Sequence, residues 1–213
     1  MLQILTALLE GVFWTLCVTL GAFAIGVVLG APLCAMRTAK TPVLRVTALS
    51  LVLILRSIPP IVWLFFIFFG IGGGFFGISP LAAAILGLGL ITAAQMSEVY
   101  RGALGSIPPG QYEAAHVLNL SPLQRFKDVI LAQMVRIVIP SATTYLIGLL
   151  KDSAVASTIG VGDVTFQAYQ ATQQTFKGLQ IYSMAALLYL AMSLPVAFFS
   201  RWVGYKLTQR IVR

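Results

Sequence analysis

An all-α membrane protein with five transmembrane helices is the fold class this sequence predicts, and three observations predict it. Hydrophobic residues make up 59% of the 213 positions and charged residues only 9%, where a soluble domain carries about 25% charged. Mean hydropathy is +0.94, more apolar surface than one water-soluble core could bury, so lipid must be the solvent. The apolar residues gather into runs near the roughly 20 residues needed to cross hydrocarbon. The net charge of +8 does not point to nucleic acid, because the basic residues lie between apolar runs and form no continuous patch.

The first run is Gly11 to Leu33. It contains Gly26-xxx-Gly30, a spacing that lets a second helix approach closely. Cys17 and Cys34 lie in or at the edge of this run, without metal-ligand or redox spacing, and read as small packing residues. Ala22-Phe23-Ala24 resembles a cleavage site but falls mid-span, so the run is expected to stay as an uncleaved anchor. The second run, Val46 to Phe69, is interrupted by Arg56 and by Pro59-Pro60. Its aromatic stretch, Phe65 to Phe69, suits lipid contact or packing. The third, Leu81 to about Ser97, is short. The fourth, Ile130 to Leu150, holds Arg136 and Pro140, and the fifth, Ile181 to about Val203, holds Pro195.

Two links between runs carry little charge. Gly70 to Pro80 has five glycines and reads as a tight external turn or re-entrant piece. Lys151 to Gln180 is longer and mixed, with Gly160-Val161-Gly162 and a polar stretch from Gln167 to Gln174. Of fourteen Lys and Arg residues, eleven fall on one side of this layout: Arg37, Lys40 and Arg45, then Arg101, Arg125, Lys127 and Arg136, then Arg201, Lys206, Arg210 and Arg213. Basic residues near span ends stay cytoplasmic. The expected topology has the N-terminus outside and the C-terminus inside, as one transmembrane domain over 1–213 without repeats.

The cytoplasmic link between runs three and four reads residue by residue. Pro108-Pro109 opens a helix through Gln111-Tyr112-Glu113-Ala114-Ala115-His116-Val117-Leu118, since proline fits a first turn. Asn119 sits where a left-handed residue ends it. Ser121 caps the next helix, Pro122 takes its first position, and Gln124 completes a capping box.

This segment, about 108–128, resembles the EAA loop of ABC-transporter permease subunits. Glu113-Ala114-Ala115 fits that loop, Asn119 stands in for its glycine, and Ile130-Leu131-Ala132 lacks its later proline, which should leave the start of span four straighter. Further stretches resemble the polar amino acid permease family: Arg56-Ser57-Ile58-Pro59-Pro60, then Ser97-Glu98-Val99-Tyr100-Arg101-Gly102, and Leu150-Lys151-Asp152-Ser153 followed by Ile159-Gly160-Val161. The resemblance implies a type I ABC importer permease fold with a cytoplasmic coupling helix, in a bacterial inner membrane. It implies two separate ABC ATPase subunits, a second permease copy or a homologous permease, and a periplasmic or extracellular amino-acid-binding protein. Tyr112, Glu113, Ala114, Ala115 and Asn119 would then form the ATPase-coupling hook. Glu113 would pair with a basic group in the ATPase cleft, and Ala114 and Ala115 would allow close approach.

No catalytic site is expected in the chain. It has no G-x-x-x-x-G-K-[ST] phosphate loop, no H-E-x-x-H and no G-x-S-x-G. No cofactor or metal is expected here; ATP and Mg would sit in the partner. His116, the single histidine, reads as an exposed residue of the hook. Arg56 is a substrate-path candidate because an ionisable residue inside a span is a functional hypothesis by default; the other reading pairs it with Glu98 or lets it snorkel. Asp152, beside Ser153, could hold a substrate ammonium, or could pair with Lys151. Gln95, Ser97 and Glu98 complete the path candidates. Two other classes remain: an ion-coupled secondary carrier, which would use intramembrane carboxylates and usually shows internal repeats, and an assembly subunit without a path.

Overall fold

The structure is a computed structural model and describes residues 2–209, with side chains other than those of 74–76 and 207–209. Arg210 and Arg213, counted above for sidedness, lie outside the described residues. No strand occurs among the described residues. The elements are α1 (Leu2–Arg37), α2 (Pro42–Ser57), α3 (Pro60–Phe65) running into a π-helix (Phe66–Phe76), α4 (Pro80–Gly105), α5 (Pro109–Val117), α6 (Pro122–Gln124) running into a second π-helix (Arg125–Leu131), α7 (Ala132–Asp152) with a 3₁₀ tail (Ser153–Ile159), α8 (Val164–Thr175) and α9 (Gly178–Gln209).

Four stretches are long and apolar enough to cross a bilayer, and a fifth arises if the bent pair Pro42–Ser57 and Pro60–Gly73 counts as one span. The second apolar run is therefore no simple rod. Its two halves meet at 102°. The cause is local: a proline disfavours helix in the residue before it. Ile58 stands extended at φ −96°, ψ 131°, and Pro59 at φ −56°, ψ 142°.

α1 and α4 pack more extensively than any other helix pair. Lipid gives helices no hydrophobic reason to associate, so close backbone approach has to supply the attraction. A Cβ at Gly30 would sit 2.6 Å from the Met96 Cβ, and one at Gly26 would overlap Thr92. The Gly26-xxx-Gly30 reading thus holds, and α4 is the helix that fills the gap. Val18, Ala22, Leu64, Leu88, Leu149 and Ile159 form the central core. A second cluster, Leu8, Val164, Ala168, Ile181 and Ala185, fixes α8 between α1 and α9. Cys34 is buried and Cys17 half-buried, both free.

The third span is longer than its apolar run. α4 continues past Ser97 to Gly105, and Glu98 and Arg101 pair one turn apart within it. Both weakly charged links are ordered. Gly70 to Phe76 continues the helix in π form, and only Gly77, at φ 55°, ends it, its N–H donating to the Gly72 carbonyl at 3.1 Å. The link after Lys151 holds the 3₁₀ tail and α8. Ahead of Ala132 the chain is wound as a π-helix over Arg125–Leu131, which continues into α7. In the aromatic stretch, Phe65, Phe66 and Phe69 face outward while Phe68 packs on the core.

Candidate functional site

The hook is built by backbone bonds that its sequence dictates. Pro109 takes the first turn of α5. At the far end, the Asn119 N–H donates to the His116 carbonyl at 2.9 Å and the Leu120 N–H to the Ala115 carbonyl at 3.2 Å, with Asn119 at φ 52°. This is the double bond of a Schellman ending, which satisfies helix carbonyls that otherwise lack donors. Two residues on, the Ser121 hydroxyl accepts from the Gln124 N–H, and the Gln124 side chain accepts from the Ser121 N–H at 3.0 Å. The capping box and the left-handed asparagine are both as read from the sequence.

Two side-chain bonds, which sequence reading missed, brace the hook against its own chain. The Gln133 amide donates to the Gln111 side chain at 3.0 Å, and an Arg125 Nη2 lies 3.2 Å from His116 Nδ1. Beneath them, Ala103, Ile107, Ile130 and Met134 join the end of α4 to the start of α7. Ala115 is 2% exposed. It packs inward, so it does not offer the close approach to a partner expected of it. Ala114, Glu113 and Tyr112 remain open. The outward face also carries Val117 and Leu118, 84% and 71% exposed. Glu113 and Val117, and likewise Ala114 and Leu118, are one turn apart on a shared face. Two bare aliphatic side chains beside a free carboxylate suit a cleft in another protein.

The path candidates separate into distinct environments. Arg56 is paired, as the structural reading held: its Nη1 lies 3.3 Å from Glu98 Oε1. Glu98 also faces Arg37 at 2.9 Å and Arg101 at 2.9 Å, the latter through both Nε and Nη2 onto Oε2. The Arg37 Nη1 is an ion-pair partner by distance, but its N–H is not aligned for a hydrogen bond. Ser97 is fully buried against Gly30, without a hydroxyl partner. Gln95 is half-buried. Asp152 is exposed and forms no ion pair with Lys151 among the described residues. Ser153 is buried and donates its hydroxyl to the Leu150 carbonyl at 2.8 Å. Tyr145, on α7, meets α4 through its hydroxyl, 3.3 Å from that of Thr92.

One buried acid went unnoticed in the sequence. Asp163 is fully buried and caps α8, its Oδ1 accepting from the Phe166 N–H at 2.8 Å, while Oδ2 has no partner. Burial pushes its carboxyl up to about 7, against the opposing pull of the Phe166 and Thr165 amides. Beside it, Thr15 accepts from the Val164 N–H at 3.3 Å and Thr165 shares a 2.9 Å bond with Tyr189. Its helix-capping position was readable from Asp163-Val164-Thr165; its burial was not.

A bundle of apolar helices, one span broken at a double proline, with a braced polar hook presenting an open face, defines a permease-type membrane subunit. The chain belongs to the family described as binding-protein-dependent transport system inner membrane component, which matches residues 22–211. It is 31% identical over 191 residues to the probable amino-acid ABC transporter permease protein YckA of Bacillus subtilis (90% of this chain, 84% of that one). It is 32% identical over 203 residues to the arginine transport system permease protein ArtQ of the same organism (94% and 92%). Among solved structures, an amino acid ABC transporter crystallised with histidines superposes with TM-score 0.90 at 26% identity, covering 97% of this chain and 96% of that one. The methionine transporter MetNI in an inward-facing form superposes at 0.81 and 24% identity, over 96% of this chain and 98% of that one, and shares the fold. The chain is thus a multi-pass inner-membrane subunit of an ABC importer. An ion-coupled carrier finds no support among these proteins.

Proposed function

We propose that this chain forms half of the transmembrane path of an amino-acid importer and is driven by a separate ATPase that grips α5. The observation that carries this reading is the open face of α5, with Glu113, Val117 and Leu118 exposed on a helix locked at both ends. The relatives named above as amino-acid permeases support the substrate class. In this reading two ATPases bind the ATP and Mg, and an external binding protein delivers the solute. The N-terminus lies outside and the C-terminus in the cytoplasm, which the distribution of basic residues supports. Five spans enclose no path alone, so a second copy or a homologous permease completes it.

Coupling follows from the bracing. A pull on α5 passes through Gln111–Gln133 to the start of α7 and through the Ala103–Met134 cluster to α4. Those two helices carry Glu98 with Arg101, and Tyr145. We assign Asp152 and Gln95 to the path as groups for a substrate ammonium, and Arg56 as the group nearest to a substrate carboxylate when its hold on Glu98 loosens. Ser97, on α4, and Ser153, at the end of α7, belong to the same proposed path. The test is reconstitution of the chain with its ATPase and binding protein in vesicles. Vanadate-sensitive, ATP-dependent amino-acid uptake is expected; uptake driven by an ion gradient without ATP would overturn the reading.

A further inference from the structure

Three guanidiniums converge on Glu98, so two positive charges at this point have no carboxylate of their own. Arg37 is nearly sealed, its side chain 7% exposed, whereas Arg56 and Arg101 stay open at 41% and 51%. An excess of charge beside apolar helices is unfavourable unless an anion or water meets it. Directly next to it lies a groove of about 260 Å³ between α1, α2 and α4. Its walls are aliphatic: Leu29, Leu33 and Met36 on α1, Leu51 and Leu55 on α2, and Leu90 on α4. Met36 immediately precedes Arg37 and Leu55 immediately precedes Arg56. The groove therefore lies beside the backbone positions of two of the three arginines.

An apolar groove beside a cluster with two positive charges in excess is complementary to a molecule with a hydrocarbon tail and an anionic head. We propose that this site holds one anionic phospholipid, its acyl chain in the groove and its phosphate between Arg56 and Arg101. Bidentate guanidinium–phosphate geometry suits this pairing. A zwitterionic lipid fits less well, since its own cation would face the two uncompensated charges. Basic residues gather on this side of the chain, where anionic headgroups attract them. The lipid would clamp α2 to α1 and α4 and compete with Glu98 for Arg56. The proposal shares Arg56 with the substrate path proposed above, and lipid retention, which involves no transported solute, is the readout that separates the two.

The test is lipid retention by the full chain, purified with the subunits that accompany it. After delipidation in detergent, native mass spectrometry would follow equal amounts of added dioleoyl phosphatidylglycerol and dioleoyl phosphatidylcholine. One phosphatidylglycerol per chain is expected, preferred at least tenfold, and not displaced by an equal concentration of glycerol phosphate. Arg56→Gln with Arg101→Gln should erase the preference, and Arg56→Lys with Arg101→Lys should keep most of it. Leu33→Trp leaves the charges in place, fills the groove and should lose the lipid. Equal retention of both lipids, or retention unchanged in the glutamine and tryptophan variants, would overturn the proposal. So would an efficient disulfide between two copies carrying Leu55→Cys, because a second chain would then occupy the groove.

Discussion

The amide of Leu120 donates to the carbonyl of Ala115 across 3.2 Å, and this bond closes α5 over a left-handed Asn119. It fixes which way the hook faces: Ala115 inward, Val117 and Leu118 outward. Glycine relieves the left-handed conformation at no steric cost, while a β-branched residue there costs roughly 1–2 kcal/mol. Asn119→Gly should therefore preserve transport, and Asn119→Val should lower coupled uptake several-fold. Uptake measured beside ATP hydrolysis checks this; equal performance by the two variants would detach the hook's ending from coupling.

The open face of α5 predicts where the ATPase binds. Burying a Val or Leu side chain is worth roughly 1.5–3 kcal/mol, and each 1.4 kcal/mol is about tenfold in affinity. Val117→Ser with Leu118→Ser should release the ATPase at least tenfold more readily in co-purification, while the permease still inserts. Glu113→Lys should separate the two activities, leaving ATP hydrolysis without uptake. Full uptake by Glu113→Lys would remove the carboxylate from the coupling contact.

Gly26 and Gly102 lie on helices of the same bundle in opposite circumstances. A Cβ at Gly26 collides with Thr92, whereas one at Gly102 meets nothing within 4 Å. Overpacking a tight contact costs about 1–3 kcal/mol, and alanine for glycine in an open helix gains up to about 1 kcal/mol. Gly26→Leu should lower the melting temperature in detergent, and Gly102→Ala should hold or raise it. If the two shifted alike, the α1–α4 contact would not be the main seam of the bundle.

Glu98 predicts a second stability effect. Its removal leaves Arg37 buried without a counter-charge, and breaking a buried pair costs about 3–5 kcal/mol. Glu98→Gln should be strongly destabilising alone and much milder together with Arg37→Met. A double-mutant cycle on thermal stability reads the coupling directly; additive costs would mean that Arg37 is solvated by other means.

The parts of this molecule that were legible in its sequence are those set by neighbours along the chain. Pro59-Pro60 broke span two, Asn119 turned left, and Ser121 with Gln124 closed a capping box, each through a rule spanning a few residues. The glycines from Gly70 to Gly77 left a turn and a re-entrant piece open, and the chain there is a π-helix that Gly77 ends. The arginines around Glu98 come from three separate helices. Only the Arg56 pairing was readable, since nothing local says that Arg37 folds back onto the same carboxylate. Ala115 fits a motif by sequence, yet the Schellman ending decides that it points inward.

Asp163 carries the remaining prediction, and its sign follows from burial. Its carboxyl titrates near about 7 when folded, against roughly 3.9 in an unfolded chain. Between those values the folded state binds more protons than the unfolded one, so stability falls as pH rises through this window. The contribution is fully present below about pH 4 and is gone above about pH 7, where Oδ2 must be held charged without a partner. Asp163→Asn keeps the cap on α8, since asparagine caps as well as aspartate, but cannot ionise. Melting temperatures of both proteins from pH 4 to 8 should converge at the acid end, with the variant gaining on the wild type as pH rises. A constant difference across the range would show that the Asp163 carboxyl is ionised throughout and that its burial does not raise its titration.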